Sequence, residues 1–186
     1  MSRPQMSRPL TAAVALALAV LVARPAEAYT VRPGDLLLRP VAGASVNVVR
    51  FPAATRATPQ GGMLLGVDLD WSFDGALAFT GALRPVLSPG YVDVNLGLGA
   101  KYRLVQLGAP FIPYGSAMLT SALGGPIGHG DLHWNEGLRV AGGVDYFVMR
   151  DLAVGVEMAA EGSGLLTPAL TPEVSAELLL GVSFRL

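Results

Sequence analysis

Cysteine is absent from the 186 residues, which excludes both a disulfide-stapled scaffold and a lipid-modified N-terminal cysteine. Charge is scarce as well, with Asp, Glu, Lys and Arg making up 15% of the chain against 52% hydrophobic residues. No basic patch is present, so nucleic acid is not an expected partner. Beyond the N-terminal segment there is also no uninterrupted apolar stretch of the roughly 20 residues that a spanning helix requires. A chain this apolar must distribute its hydrophobicity in another way.

The N-terminus has its own pattern. Met1 to Pro9 carries Arg3 and Arg8, an apolar run extends from Leu10 to Val22, and Ala26-Glu27-Ala28 supplies small residues around a cleavage point. This is the pattern of a secretory signal peptide over residues 1–28, cut after Ala28, and the apolar run is too short for the competing reading as a transmembrane helix. The repeated MSRP leaves two start positions open, Met1 and Met6. Residues 29–186 are expected to form a single domain. Removing Arg3, Arg8, Arg24 and Glu27 from 13 basic and 14 acidic residues leaves ten and thirteen, a net charge of about −3.

What the chain does have is alternation. In Tyr91 to Val105 the even positions are Val92, Val94, Leu96, Leu98, Ala100, Tyr102 and Leu104, and the odd ones Asp93, Asn95, Gly97, Gly99, Lys101 and Arg103. Successive side chains of a strand point to opposite faces, so one face is continuously apolar and the other small or charged. Similar strands are predicted over Asp35 to Val48, Gly61 to Phe73, Ala76 to Leu87, Phe111 to Leu123, Glu136 to Met149, from Leu152 to about Glu161, and over Glu173 to Leu186. Pro40 weakens the first, because it lacks a ladder donor. The fifth is the least regular, and its outward set is expected to be Ile112, Tyr114, Ser116, Met118 and Thr120. Asp74-Gly75 predicts a two-residue hairpin turn.

Eight strands are an even number, and their connections are unequal. Val49 to Gln60, Gly124 to Asn135 and Leu165 to Pro172 are predicted as long loops and the connections after strands two, four and six as short; only the connection after strand three, Ser88-Pro89-Gly90, is short where a long one is expected. This asymmetry, with both chain ends on the short-turn side, is that of an all-β, eight-stranded antiparallel up-and-down transmembrane β-barrel. Trp71, Phe73, Phe79, Tyr102, Tyr114, Tyr146 and Phe184 fall at one height near the short turns, as an interfacial girdle would, and Trp134 falls near the other end.

Alternation alone also fits a lipocalin-like soluble barrel with its apolar face inside. The polar face decides against it, being rich in Gly, Ala and Ser where a soluble exterior would carry many Lys and Glu. The lumen is then expected to contain Arg39, Arg84, Lys101, Arg103, Arg139 and Arg185 with Asp68, Asp70, Asp93, Asp145, Glu157, Glu161 and Glu177. Signs this nearly balanced favour mutual pairing over an open charged channel, since an eight-stranded barrel is about filled by its own side chains.

On the strand pattern, on GLRVAGGVDYFVMRDLAVGVEM and on the C-terminal LLGVSFRL, the chain resembles the small eight-stranded outer-membrane β-barrel proteins, the group that includes the OmpA transmembrane domain, OmpX and OmpW. The resemblance implies that Gly181, Phe184 and Leu186 act as an assembly signal, with Leu186 standing where such proteins usually end in an aromatic ring. It implies an integral outer-membrane protein whose partners are outer-membrane lipid and the assembly machinery.

Chemistry has few candidates. His129, Asp131 and His133 could place three metal ligands on one side of an extended loop, but the motif lacks the further ligands of a built site. A lipid hydrolase or acyltransferase would need a nucleophile beside a His and a carboxylate, and only Ser121 lies near the histidines in sequence. The expectation is therefore a non-enzymatic barrel without cofactor, contacting an unidentified surface partner through its external loops. The alternative is a barrel that binds or passes a small apolar molecule.

Overall fold

The computed structural model describes residues 31–50, 61–105, 110–128, 132–164 and 173–186. The predicted signal peptide, residues 51–60 of the first long loop, the loop Leu165 to Pro172, His129 and Asp131 lie outside the described residues. The described elements are all strands: β1 (Leu36–Arg50), β2 (Gly61–Ser72), β3 (Leu77–Ser88), β4 (Tyr91–Arg103), β5 (Phe111–Pro126), β6 (His133–Met149), β7 (Leu152–Ser163) and β8 (Glu173–Arg185). Each pairs antiparallel with its neighbours in sequence order, and β1 closes the barrel on β8. That closing ladder runs from Leu37 opposite Arg185 to Arg50 opposite Glu173, interrupted by one irregularity between Asn47 and Val49. Closure leaves no unpaired sheet edge in the barrel, the condition a strand protein must meet in lipid.

The apolar face is outside. Leu98 is 60% exposed, Leu119 65%, Met158 69% and Leu180 66%, and they belong to an exposed apolar band that includes residues from all eight strands. Soluble monomers rarely expose contiguous apolar patches beyond a few hundred Å², and the charged face is turned inward, so the lipocalin-like arrangement is ruled out. Outward rings gather near the end where the chain termini lie. Trp71 pairs with Phe79 across β2–β3, Leu77 with Tyr102 across β3–β4, and Leu152 with Phe184 across β7–β8. The Trp71 and Phe73 ring centroids are 4.9 Å apart, and those of Phe111 and Tyr146 are 4.7 Å apart.

Strand β5 departs from expectation. Ile112, Tyr114, Ser116, Met118 and Thr120 are buried in the interior, while Phe111, Leu119 and Leu123 are exposed. The ladder supplies the reason: Lys101 lies opposite Ser116 and Arg103 opposite Tyr114. Directly paired residues share a face, so the inward cations of β4 carry Ser116 and Tyr114 inward with them. Phe111 therefore takes the girdle position expected of Tyr114.

Two connections also differ. β5 runs on to Pro126 and β6 begins at His133, so the loop expected over Gly124 to Asn135 is much shorter. Paired residues run as far as Gly124 and His133 in that hairpin. The β2–β3 connection spans Phe73 to Ala76 rather than two residues, because Asp74 Oδ1 accepts from the amides of Ala76 at 2.7 Å and Leu77 at 2.6 Å and widens the turn. The β3–β4 connection is only Pro89-Gly90, with Gly90 at φ 74°, which a glycine adopts without strain.

Candidate functional site

The interior has three levels. At the terminal end Val31, Leu37, Ile112, Phe147 and Ala153 form an apolar plug. Val31 precedes β1 and turns under the barrel, its chain held by Gly34 N donating to Ser72 O at 2.8 Å and Asp35 N donating to Arg32 O at 3.1 Å. At this same end Arg185 lies 3.3 Å from Asp35 and 3.9 Å from Asp151, outside the central network.

Above the plug lies a network of buried ions. Arg84 binds Asp68 through two hydrogen bonds, Nε to Oδ1 at 2.9 Å and Nη2 to Oδ2 at 2.7 Å. Lys101 and Arg103 share Asp70 Oδ2, at 2.7 and 2.5 Å. Glu157 is the hub: Arg139 lies at 2.6 Å, Arg39 at 3.3 Å and Arg84 at 3.4 Å, and Tyr114 donates its hydroxyl to it at 2.8 Å. Arg139 also bonds Glu177 at 2.9 Å, and Arg39 lies 3.8 Å from Asp145. Burial of ions is costly unless geometry and hydrogen bonding compensate, and the shared carboxylates supply both. A second buried apolar cluster is formed by Val41, Leu64 and Leu179, with Val86 packed against it.

Space for these ions comes from glycines on the inner face. A Cβ on Gly181 would run into the Arg39 side chain, one on Gly155 would lie 3.1 Å from Arg39 Nη2, and one on Gly143 would be 2.5 Å from Tyr114 Cζ. Gly181, expected as part of an assembly signal, thus also accommodates a guanidinium. Phe184 and Leu186 are exposed, and the Leu186 amide donates to Leu36 O at 2.9 Å.

Above the ions the barrel opens into a vestibule at the loop end, lined by residues of every strand and holding about 670 Å³ of empty space including its mouth. Asp93, Glu161, Glu173, Glu177, His133 and Tyr91 are among its lining residues. Tyr91 is hydrogen-bonded to a ring nitrogen of His133, whose Nε2 lies 3.9 Å from Asp93 Oδ1. Among the described residues no group of three or more His, Cys, Asp or Glu could hold a metal ion. Ser121 alternates with Thr120 and Ala122, which face the interior, so it projects from the opposite face of the sheet from His133.

Sequence reasoning missed Tyr114 and Thr120 as interior groups, along with the inward Val41, Leu64 and Leu179. The exposed partners Phe111 and Leu119 were the available signal for β5, since they alternate with Ile112 and Met118.

No protein-family model matches this sequence, and no curated protein sequence matches it. Solved structures do. The N-terminal β-barrel domain of Pseudomonas aeruginosa OprF is 14% identical with a TM-score of 0.61, covering 83% of this chain and 98% of its own. Neisserial surface protein A is 18% identical with a TM-score of 0.63, covering 82% and 97%. Ail, the attachment invasion locus protein of Yersinia pestis, in complex with the heparin analogue sucrose octasulfate, is 12% identical with a TM-score of 0.52, covering 83% and 99%. The fold is that of the small outer-membrane β-barrels.

Proposed function

We propose that this chain is an integral outer-membrane protein, exported by its N-terminal signal peptide, whose role is non-enzymatic: a rigid membrane anchor that presents its loop end to the cell exterior for surface contact. The observation that carries this reading is the inverted distribution of polarity, with an apolar band on the outside and an ion network and apolar plug filling the inside. A filled lumen gives stiffness and opposes conduction. Two structures of the same fold belong to proteins named for the surface or for attachment, which supports a contact role. The alternative, passage of a small apolar molecule, would need a gap in the wall or lumen, whereas the β1–β8 ladder runs from Leu37 to Arg50 with one register shift. Insertion would rely on assembly machinery reading Gly181, Phe184 and Leu186, of which the last two are accessible on the barrel surface.

The test is to express the full chain, separate inner from outer membranes, and compare gel mobility with and without boiling in detergent. Outer-membrane recovery with a heat-dependent mobility shift, and no steady conductance in a planar bilayer, is the expected result. Recovery in the soluble periplasm would overturn it.

A further inference from the structure

We propose that the vestibule is a binding site for a small organic cation, a primary ammonium or guanidinium group, held by the carboxylate of Glu161. The argument begins with which buried acids have countercharges. Asp68, Asp70, Asp145, Glu157 and Glu177 each lie within 3.9 Å of an arginine or lysine nitrogen. Glu161 does not. It is 7% exposed, and its one hydrogen bond among the described residues is from Thr120 Oγ1 to Oε1 at 2.8 Å.

The ladder sharpens the point. Arg139 stands directly opposite Glu161 across β6–β7, the position from which a cross-strand ion pair is normally made. Its guanidinium is turned instead to Glu157 at 2.6 Å and Glu177 at 2.9 Å. Among the described residues Glu161 Oε2 accepts no hydrogen bond, and Glu161 belongs to the lining of the vestibule.

The surroundings select the charge of the guest. Asp93 and Glu173 line the same space beside Glu177, which Arg139 already engages, and His133 lies 3.9 Å from Asp93; among the described residues no Lys or Arg belongs to the lining. Ser45, Ser163, Ser175 and Asn95 add neutral oxygens able to accept the remaining N–H donors of such a group. Beneath them the arginines are engaged by carboxylates and the apolar cluster fills the terminal end, so the vestibule lies on the loop side of the ion network. A site with several weakly spaced carboxylates and no three-ligand cluster suits a hydrogen-bonding organic cation rather than a coordinated metal.

The experiment uses the full chain purified from membranes into a neutral detergent, titrated with pentane-1,5-diammonium and, separately, with pentane-1,5-diol of the same length. Saturable binding of the diammonium that weakens with added salt, and none of the diol, is expected. Glu161→Gln keeps the shape and the acceptor for Thr120, and should weaken binding by about tenfold, the loss of one charge-assisted hydrogen bond. Ser163→Lys, which tethers an ammonium inside the vestibule, should abolish it even if the first variant folds poorly. The heat-dependent gel shift reports whether each variant remains a barrel. Equal binding of the diol, preferential binding of the polyanion sucrose octasulfate, or unchanged affinity in folded Glu161→Gln would overturn the proposal. Because the readout is made in detergent, it stands apart from the membrane-location test.

Discussion

Arg39 on β1 and Tyr114 on β5 meet inside the barrel, the Arg39 Nη1 donating to the phenol oxygen while its guanidinium carbon stands 5.3 Å from the ring centroid. The same phenol donates to Glu157 at 2.8 Å, and Lys101 Nζ lies 4.8 Å from the ring centroid on β4. One aromatic side chain thus joins strands β1, β4 and β7 through the lumen. This ties wall segments that are not neighbours in the ladder.

Tyr114→Phe keeps the ring over both cations and removes only the hydroxyl. It should cost about 1–3 kcal/mol, the range for leaving buried polar partners unsatisfied. Urea unfolding in lipid vesicles followed by tryptophan fluorescence measures it, and an unchanged midpoint would mean that the hydroxyl adds nothing to the network.

Glu157→Ala removes the hub and leaves a void; among the described residues the carboxylates left are Asp68 and Glu177 for Arg84, Glu177 for Arg139, and Asp145, at 3.8 Å, for Arg39. Removal of one partner from a buried ion network costs about 3–5 kcal/mol, so this variant should unfold at clearly lower urea than Tyr114→Phe. Glu157→Gln, which keeps the volume, should fall between wild type and Glu157→Ala.

Gly181→Val places a branched side chain against Arg39, where there is no room. Overpacking of this kind costs about 1–3 kcal/mol or prevents closure. Gly142→Ala faces outward, with the nearest atom 3.8 Å from the new Cβ, and should leave the heat-dependent gel shift intact. A pair of variants with equal folding yields would contradict a tightly filled interior.

The facing of β5 can be read with a fluorescent label. A probe on Leu119→Cys should be quenched by brominated lipid chains, since Leu119 is 65% exposed on the outer face. Met118→Cys, one residue away and 1% exposed, should resist labelling in the folded barrel. The reverse pattern would restore the facing expected from the sequence.

Asp74 is fully exposed in the β2–β3 turn, and the amides of Leu77 and Ala76 hold its carboxyl below the usual aspartate range. A depressed folded-state value contributes stability above the unfolded value, and that contribution disappears as pH falls through the folded one. Protection of the Leu77 amide, its exchange rate taken relative to that of an unstructured amide at the same pH, should therefore fall in acid in the wild type, while Asp74→Asn should lose that acid-dependent step. A carboxyl titration by NMR at or above the ordinary aspartate value would contradict the capping role.

The order and facing of most strands were legible because alternation is local: Leu96, Leu98 and Tyr102 against Gly97, Gly99 and Lys101 state their faces without reference to any other strand. The outward band and the even strand number follow from the same short-range pattern. β5 defeated it because both of its faces carry apolar groups, Phe111 and Leu119 on one and Ile112 and Met118 on the other. Only its register against Lys101 and Arg103 could choose between them. Nor could the sequence tell that Arg139 would pass over Glu161, directly opposite, for Glu157 and Glu177. That choice depends on where barrel closure brings side chains from β1, β3, β5 and β8 into one confined cross-section. Period-two polarity is a property of each strand, whereas ion pairing in a lumen belongs to the closed ring.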